Sequence, residues 1–145
     1  MSNLVISSPA FKNNKEIPRK YTCDGEDVNP QLDIGGLPKE TKSLVLIVDD
    51  PDAPMGDWVH WIVWNIAPTN RIKEKNVPGV EGMNDFRRHS YGGPCPPSGT
   101  HRYFFKVYAL DTEFSLQVHS RKKDLENAMS GHILAKGELV GLYER

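Results

Sequence analysis

Residues 58–66 read Trp-Val-His-Trp-Ile-Val-Trp-Asn-Ile, and this stretch decides the fold. Aromatic and β-branched residues favour strands, and a nearly unbroken apolar run is typical of a strand buried at the centre of a sheet. Because side chains alternate along a strand, the stretch predicts that Trp58, His60, Ile62 and Trp64 share one face.

Three more segments predict strands. Residues 43–48 form a short, largely β-branched run that ends at Asp-Asp-Pro, and residues 138–143 read as a short last strand. Residues 101–110 alternate so that His101 and Tyr103 point to the same face.

One helix is predicted near the end of the sequence. Ser120 is its candidate N-cap, although the basic run at 121–123 opposes the helix dipole there. Its apolar stripe follows the i, i+3, i+4, i+7, i+8 spacing through Leu125, Ala128, Met129, His132 and Ile133. Several strands with one helix predict a mainly β fold, in which two antiparallel sheets pack as a Greek-key sandwich with one or two short helices.

Composition and charge exclude several classes of protein. The 145 residues suit a single domain over 1–145, and 18 basic against 19 acidic side chains give a net charge of −1. That balance provides no field to attract nucleic acid, and no apolar stretch is long enough to span a bilayer. Because residues 1–15 lack a leader-like apolar segment, we expect a cytoplasmic protein in which Cys23 and Cys95 are free thiols.

Polar side chains concentrate next to the ends of the predicted strands. Residues 49–54 read Asp-Asp-Pro-Asp-Ala-Pro, a stiff acidic corner that also suits an ordinary turn. His60 stands in an apolar strand, either as a satisfied core histidine or as a functional group. Residues 92–103 begin as a Gly- and Pro-rich loop, whose amides could face an anion, and continue into His101 and Tyr103. Together these segments supply the components of a polar pocket.

These segments resemble the two signatures of the phosphatidylethanolamine-binding (Raf kinase inhibitor-like) family. The first signature is Asp-Pro-Asp-Ala-Pro at 50–54 followed by Trp-Val-His-Trp at 58–61. The second is Gly-Pro-Cys-Pro-Pro-Ser-Gly-Thr-His-Arg-Tyr at 93–103, continued by Val-Tyr-Ala-Leu at 107–110. Further matches toward both ends extend the resemblance over nearly the whole chain, with the bacterial and archaeal branch as the best match.

The resemblance implies a two-sheet fold and a pocket that binds phosphate-like anions and phospholipid head groups. It also implies that Pro54 follows a cis peptide bond. It assigns nine residues to the pocket and its rim, namely Asp50, Asp52, Pro54, His60, Gly93, Cys95, Pro96, His101 and Tyr103.

A small binding and regulatory protein is therefore the leading hypothesis, with an anionic ligand, no cofactor and no enzymatic activity. Tyr103, a ring N–H of His60 and loop amides near Cys95 would donate hydrogen bonds to the anion, while Asp50 and Asp52 would orient the histidines. The family suggests a kinase or a protease as a protein partner, and a homodimer is left open.

Two alternatives to a binding protein remain at this point. One is a hydrolase that uses the Asp and His side chains as general acid and base. The other is a zinc site built from His60, His101, Cys95 and an Asp, although the spacing matches no common zinc motif.

Overall fold

The computed structural model describes residues 2–145, which form two β-sheets and one α-helix. The strands in chain order are β1 (Ser2–Asn3), β2 (Val5–Ser7), β3 (Lys15–Glu16), β4 (Leu32–Gly35), β5 (Ser43–Asp50), β6 (Trp58–Ile66), β7 (Arg71–Ile72), β8 (Val80–Glu81), β9 (Thr100–Leu110) and β10 (Ile133–Glu144). Helix α1 spans Lys122–Met129, and a 3₁₀ turn spans Arg19–Tyr21. Within 2–145, no helix has the length and apolar character to cross a membrane.

The larger sheet has seven strands in the order β1-β10-β9-β5-β6-β8, and β3 also pairs with β10. Neighbouring strands are antiparallel except that β1 and β3 both run parallel to β10. The smaller sheet is antiparallel and has the order β2-β4-β7. The predicted mainly β fold with two sheets is therefore confirmed.

Strand β5 is buried on both of its faces, which explains why its sequence is a continuous apolar run. Leu44, Leu46 and Val48 point into the core between the two sheets. Val45 and Ile47 belong to a second apolar cluster, on the side of the sheet covered by α1. A strand without a solvent face shows no polar alternation.

Helix α1 is one turn shorter than its apolar stripe predicted. It ends at Met129, Gly131 then adopts a φ of 83°, and Ile133 pairs with Leu110 as the first residue of β10. His132 and Ile133 therefore lie outside the helix, because a strand pairing takes the chain before another turn can form. The predicted last strand at 138–143 is correspondingly the C-terminal half of a longer strand, without its last residue.

The basic start of α1 is stabilised by carboxylates from the sheet and from loops. Arg121, not Ser120, is the N-cap residue, and its side chain lies 3.2 Å from Asp85. The Lys122 ammonium lies 2.9 Å from Asp57 and 3.2 Å from Asp49, a residue of β5 that is only 1% exposed. These ion pairs offset the unfavourable position of the positive charges at the positive end of the helix dipole.

Strand β6 has the predicted bounds, but its side chains do not alternate simply. Between the pairs Val48–Trp61 and Asp49–Val59 the register shifts, and His60 is the extra residue of a β-bulge. His60 packs against Tyr103, whereas Ile62 and Trp64 belong to the cluster under α1. The prediction that His60 shares a face with Ile62 and Trp64 was therefore wrong.

Two further expectations are corrected by the structure. Cys23 and Cys95 form a disulfide, with their Cα atoms 5.5 Å apart, and are not free thiols. The fold brings the two loops together, and where they meet the Cys23 amide donates to the Pro94 carbonyl at 3.1 Å.

The peptide bond before Pro54 was predicted to be cis, but it is trans. The turn closes through ordinary hydrogen bonds, in which the Asp52 amide donates to the Asp50 carboxylate and the Gly56 amide to the Ala53 carbonyl.

Candidate functional site

A pocket of about 190 Å³ lies where β5 ends and where β6 and β9 begin. Because β5 pairs antiparallel with both neighbours, Asp50 comes next to Trp58 on one side, and Asp49 next to Phe104 on the other. The loop that precedes β9 closes the pocket. Its lining residues are Asp50, Ala53, Pro54, Trp58, His60, Phe86, Cys95, Pro96, Pro97, His101 and Tyr103.

The structure brings together most of the residues that the sequence predicted. From the predicted set, Asp50, Pro54, His60, Cys95, Pro96, His101 and Tyr103 line the pocket. Asp52 and Gly93 do not line it.

Asp52 and Gly93 are occupied by contacts outside the pocket. The Asp52 carboxylate accepts two hydrogen bonds from the Arg102 guanidinium, both at 2.9 Å, and these bonds lower the pKa of Asp52 to about 2. The Gly93 amide donates to the Asp27 carboxylate at 2.7 Å and is not free to bind an anion. A side chain at Gly93 would collide with the Tyr21 carbonyl oxygen, so the glycine allows this loop to approach the 3₁₀ turn.

One side of the pocket is aromatic, and the sequence did not predict it. Phe86 packs edge-on against both Trp58 and His60, with ring centroids 5.5 and 5.2 Å apart. Nearby, the Asp85 carboxylate accepts a hydrogen bond from the Val59 amide at 2.7 Å, which ties this turn to the start of β6. The sequence around Phe86 indicates only a turn, and the contact with β6 is what brings the ring to the pocket.

Asp50 and His101 form a buried pair at the base of the pocket. The His101 Nδ1 lies 2.7 Å from an oxygen of the Asp50 carboxylate, and both side chains are less than a tenth exposed. Since the carboxylate can only accept, His101 carries a proton on Nδ1. This bond fixes the orientation of the imidazole and leaves its Nε2 free of any bond to residues 2–145.

The hydrogen bond between His60 and the loop uses the N–H of its neutral ring, so the other ring nitrogen has no proton to donate to an anion. The His60 Nδ1 donates to the Gly92 carbonyl oxygen at 2.7 Å, because a carbonyl can only accept. Burial lowers the pKa of His60, so the ring is neutral at pH 7. In this neutral form Nε2 carries a lone pair and acts as a hydrogen-bond acceptor, whereas the predicted N–H donor at Nε2 requires His60 to take up a proton.

The Tyr103 hydroxyl is a buried polar group that has no hydrogen-bond partner among residues 2–145. Its ring lies between His60, with centroids 5.2 Å apart, and His101, with centroids 6.5 Å apart. Burial, followed by the Asp50 charge, raises the pKa of Tyr103 well above its ordinary value. The hydroxyl therefore stays protonated and can donate one hydrogen bond.

The pocket offers little to a metal ion. Cys95 is oxidised in the disulfide, so it cannot supply the thiolate of the zinc hypothesis. Across residues 2–145, no three His, Cys, Asp or Glu side chains are grouped in a way that would hold a metal.

Four grooves on the surface have larger volumes than this pocket, from about 250 to 550 Å³. The grooves of about 380 and 550 Å³ are lined mainly by exposed or half-buried residues of β3, β9 and β10, such as Lys15, Lys136 and Glu144. None of the four is lined by a buried side-chain atom without a partner. We therefore take the smaller pocket as the candidate site.

Comparisons with known proteins agree with the fold and cover almost the whole chain. The family model described as "Phosphatidylethanolamine-binding protein" matches residues 7–144. A UPF0098 protein of Pyrococcus horikoshii is 54% identical, over 99% of this chain and 77% of its own length. A UPF0098 protein of Methanothermobacter thermautotrophicus is 48% identical, over 97% of this chain and 98% of its own length.

Two solved structures have the same fold. One is the crystal structure of a phosphatidylethanolamine-binding protein homologue from Chlamydia trachomatis, with a TM-score of 0.95 and 41% identity over 100% of this chain and 99% of that one. The other is E. coli YbcL, described as a member of the mammalian phosphatidylethanolamine-binding protein family, with a TM-score of 0.91 and 29% identity over 99% of both chains.

Proposed function

Because the chain belongs to the phosphatidylethanolamine-binding protein family, we propose that it is a small binding protein whose pocket accepts one compact phosphoryl or carboxylate group. The group can belong to a small molecule or to a side chain of a partner protein. The observation that carries this proposal is the buried, unpartnered hydroxyl of Tyr103 beside His60 and His101.

An oxyanion would satisfy the Tyr103 hydroxyl. A buried donor without an acceptor costs about 1–3 kcal/mol, so binding that supplies an acceptor gains this energy back. The neighbouring rings of His60 and Phe86 and the prolines at 54, 96 and 97 surround the polar base with apolar surface. Such a site is typical of pockets that recognise one polar head and the adjoining carbon chain.

The proton balance of the pocket restricts the form of the ligand. Asp50 is a carboxylate paired with His101, and the free nitrogen of neutral His60 is an acceptor. A fully ionised oxyanion next to that nitrogen would be repelled, because its oxygen and the nitrogen both present lone pairs and no proton lies between them. The pocket therefore favours a group that brings its own proton, such as hydrogen phosphate, a singly protonated phosphate monoester or a carboxylic acid, or else His60 must take up a proton on binding.

Calorimetric titration with phosphate and with sulfate tests this proposal. Sulfate has the same shape but carries no proton near neutral pH. We expect phosphate to bind roughly tenfold more tightly than sulfate at pH 7, which corresponds to about 1.4 kcal/mol. Equal affinity for the two anions would show that His60 does not act as an acceptor in the complex.

Variants of two tyrosines separate the pocket from the rest of the core. Tyr103→Phe should weaken phosphate binding by about 0.5–3 kcal/mol, because it removes one donor. Tyr91→Phe is the matched control, since Tyr91 is also buried but its hydroxyl donates to the Tyr21 carbonyl and does not line the pocket. If both variants bind phosphate as the wild type does, the anion binds elsewhere.

The lining of the pocket supports binding over hydrolysis. No serine or threonine lines it, and the sulfur of Cys95 is tied up in the disulfide, so neither offers an activated nucleophile. Inhibition of a kinase or a protease would follow from the same pocket if a phosphorylated or acidic side chain of the partner entered it. Incubation with phosphate esters and peptides should give no turnover, and sustained release of phosphate that Tyr103→Phe abolishes would contradict this.

A cytoplasmic location and a homodimer stay predictions of the sequence. Cell fractionation checks the first, and light scattering of the purified protein checks the second.

A further inference from the structure

The disulfide joins the rim of the pocket to an exposed loop. Cys95 lines the pocket, whereas its partner Cys23 is exposed on the surface. The Arg145 guanidinium lies 3.3 Å from the Cys95 sulfur and 3.9 Å from the Cys23 sulfur. We propose that this disulfide is a thiol-exchange site, which a small thiol attacks at Cys23 and which releases Cys95 as a thiolate in the wall of the pocket.

The direction of the exchange follows from exposure and charge. An attacking thiolate needs access to a sulfur, and Cys23 is the more exposed of the two residues. The departing sulfur leaves faster when its thiolate is stabilised, and the guanidinium is nearer to Cys95. The Asp24 carboxylate lies 3.5 Å from the same guanidinium and offsets part of its charge.

The reaction balances with two thiol molecules as the reductant. The first thiolate forms a bond to the Cys23 sulfur while the bond between Cys23 and Cys95 breaks, and the electron pair leaves with Cys95. The second thiolate attacks the sulfur of the first, which releases a small disulfide and the Cys23 thiolate. Two electrons pass from the external thiols to the protein, and each cysteine sulfur takes up a proton according to its pKa.

Hydrogen bonds hold the rim in place when the disulfide is open. In the oxidised protein the Cys23 amide donates to the Pro94 carbonyl, the Gly92 amide to the His60 carbonyl, and the Gly93 amide to the Asp27 carboxylate, and none of these bonds involves a sulfur. Reduction therefore changes the chemistry of the pocket wall more than its position. A neutral disulfide becomes a nucleophile with negative charge, next to a pocket that already contains the Asp50 carboxylate.

Alkylation after reduction tests the exchange without any ligand. The native protein is reduced with excess dithiothreitol, freed of the reductant and treated with iodoacetamide at pH 7, and each cysteine is followed by peptide mass spectrometry. We expect Cys95 to react roughly three- to tenfold faster than Cys23, because a nearby cation raises the thiolate fraction. Arg145→Gln should remove this difference, and Arg19→Gln, at another exposed arginine close to Asp24, should keep it.

The outcomes separate the exchange site from the proposed function. Only the predicted effect of phosphate on Cys95 rests on the proposed function. A disulfide that stays closed in the folded protein, an equal rate at both cysteines, or an unchanged preference in Arg145→Gln would overturn the exchange site. Added phosphate should slow alkylation of Cys95 and not of Cys23. If phosphate binds the oxidised protein in calorimetry but does not protect Cys95, the coupling to the pocket is wrong while the proposed function stands.

Discussion

The hydroxyl of Tyr103 is buried in the free protein without a hydrogen-bond partner of ordinary geometry. We expect Tyr103→Phe to leave the free energy of unfolding unchanged or to raise it by up to about 1–3 kcal/mol, the cost of a buried unpaired polar group. Tyr91→Phe should instead lower it by about 0.5–1.5 kcal/mol, because it breaks a hydrogen bond of 2.7 Å. Urea unfolding of the three proteins measures both changes, and a destabilised Tyr103→Phe would mean that the hydroxyl is bonded in the free protein.

The Asp52–Arg102 pair gives a residue-level prediction in acid. Because the guanidinium lowers the pKa of Asp52 to about 2, from an ordinary value of 3.8, the pair stabilises the fold above about pH 4 and loses its effect as pH falls toward about 2. Both side chains are partly exposed, so the contribution is at most about 1 kcal/mol. Wild type and Asp52→Asn should differ in unfolding free energy at pH 5 and converge at the acid end, and a constant difference across this range would contradict the assignment.

Residue identity was easier to predict from the sequence than the role of each residue. Most of the predicted pocket residues do line the pocket, because strand order and the two signatures place them at adjacent strand ends. The predicted role of His60 as a donor stays a prediction. Its hydrogen bond to Gly92, which the sequence did not predict, depends on a loop more than thirty positions away. The disulfide was missed for a similar reason, because the meeting of two distant loops leaves no local signal.

At the level of elements, a group of charges fixes helix α1 to the sheet. Asp49 accepts a hydrogen bond from Lys106 at 3.0 Å and lies 3.2 Å from Lys122. Asp49→Asn should lower the unfolding free energy by about 1–3 kcal/mol, because it leaves the two ammonium groups less compensated. Glu126→Gln is the control, since its exposed carboxylate lies 3.8 Å from Lys122, and it should change the unfolding free energy by less than about 0.5 kcal/mol. Similar losses in both variants would mean that burial of Asp49 contributes nothing.

Long periodic elements were predicted well, whereas the irregularity within β6 and the end of α1 were not. The bounds of β6 came directly from its aromatic and β-branched composition. The bulge at His60 and the end of α1 depend on pairings with β5 and β9, which periodicity within one segment does not contain. Tertiary contacts therefore decided the points at which the local pattern failed.

For the molecule as a whole, the disulfide closes a long loop between positions 72 apart in sequence. Reduction should lower the unfolding free energy by up to about 4 kcal/mol, since the open chain gains conformational entropy when unfolded. Urea unfolding with and without dithiothreitol measures this loss. The double variant Cys23→Ser/Cys95→Ser should match the reduced protein, and a reduced protein as stable as the oxidised one would contradict the entropic contribution.

The arrangement of β10 also bears on how the chain reaches its native state. Ser2 of β1 pairs with Ala135, and Lys15 of β3 pairs with Gly141, so strands from opposite parts of the chain meet in β10. Contacts between residues so far apart in sequence slow folding, because a large loop must close, at a cost in entropy, before the contacts can stabilise the chain. During synthesis on the ribosome, β1 and β3 emerge early and wait without partners until β10 leaves the exit tunnel. During this period the nascent chain exposes unpaired strand edges, which chaperones or neighbouring chains can bind.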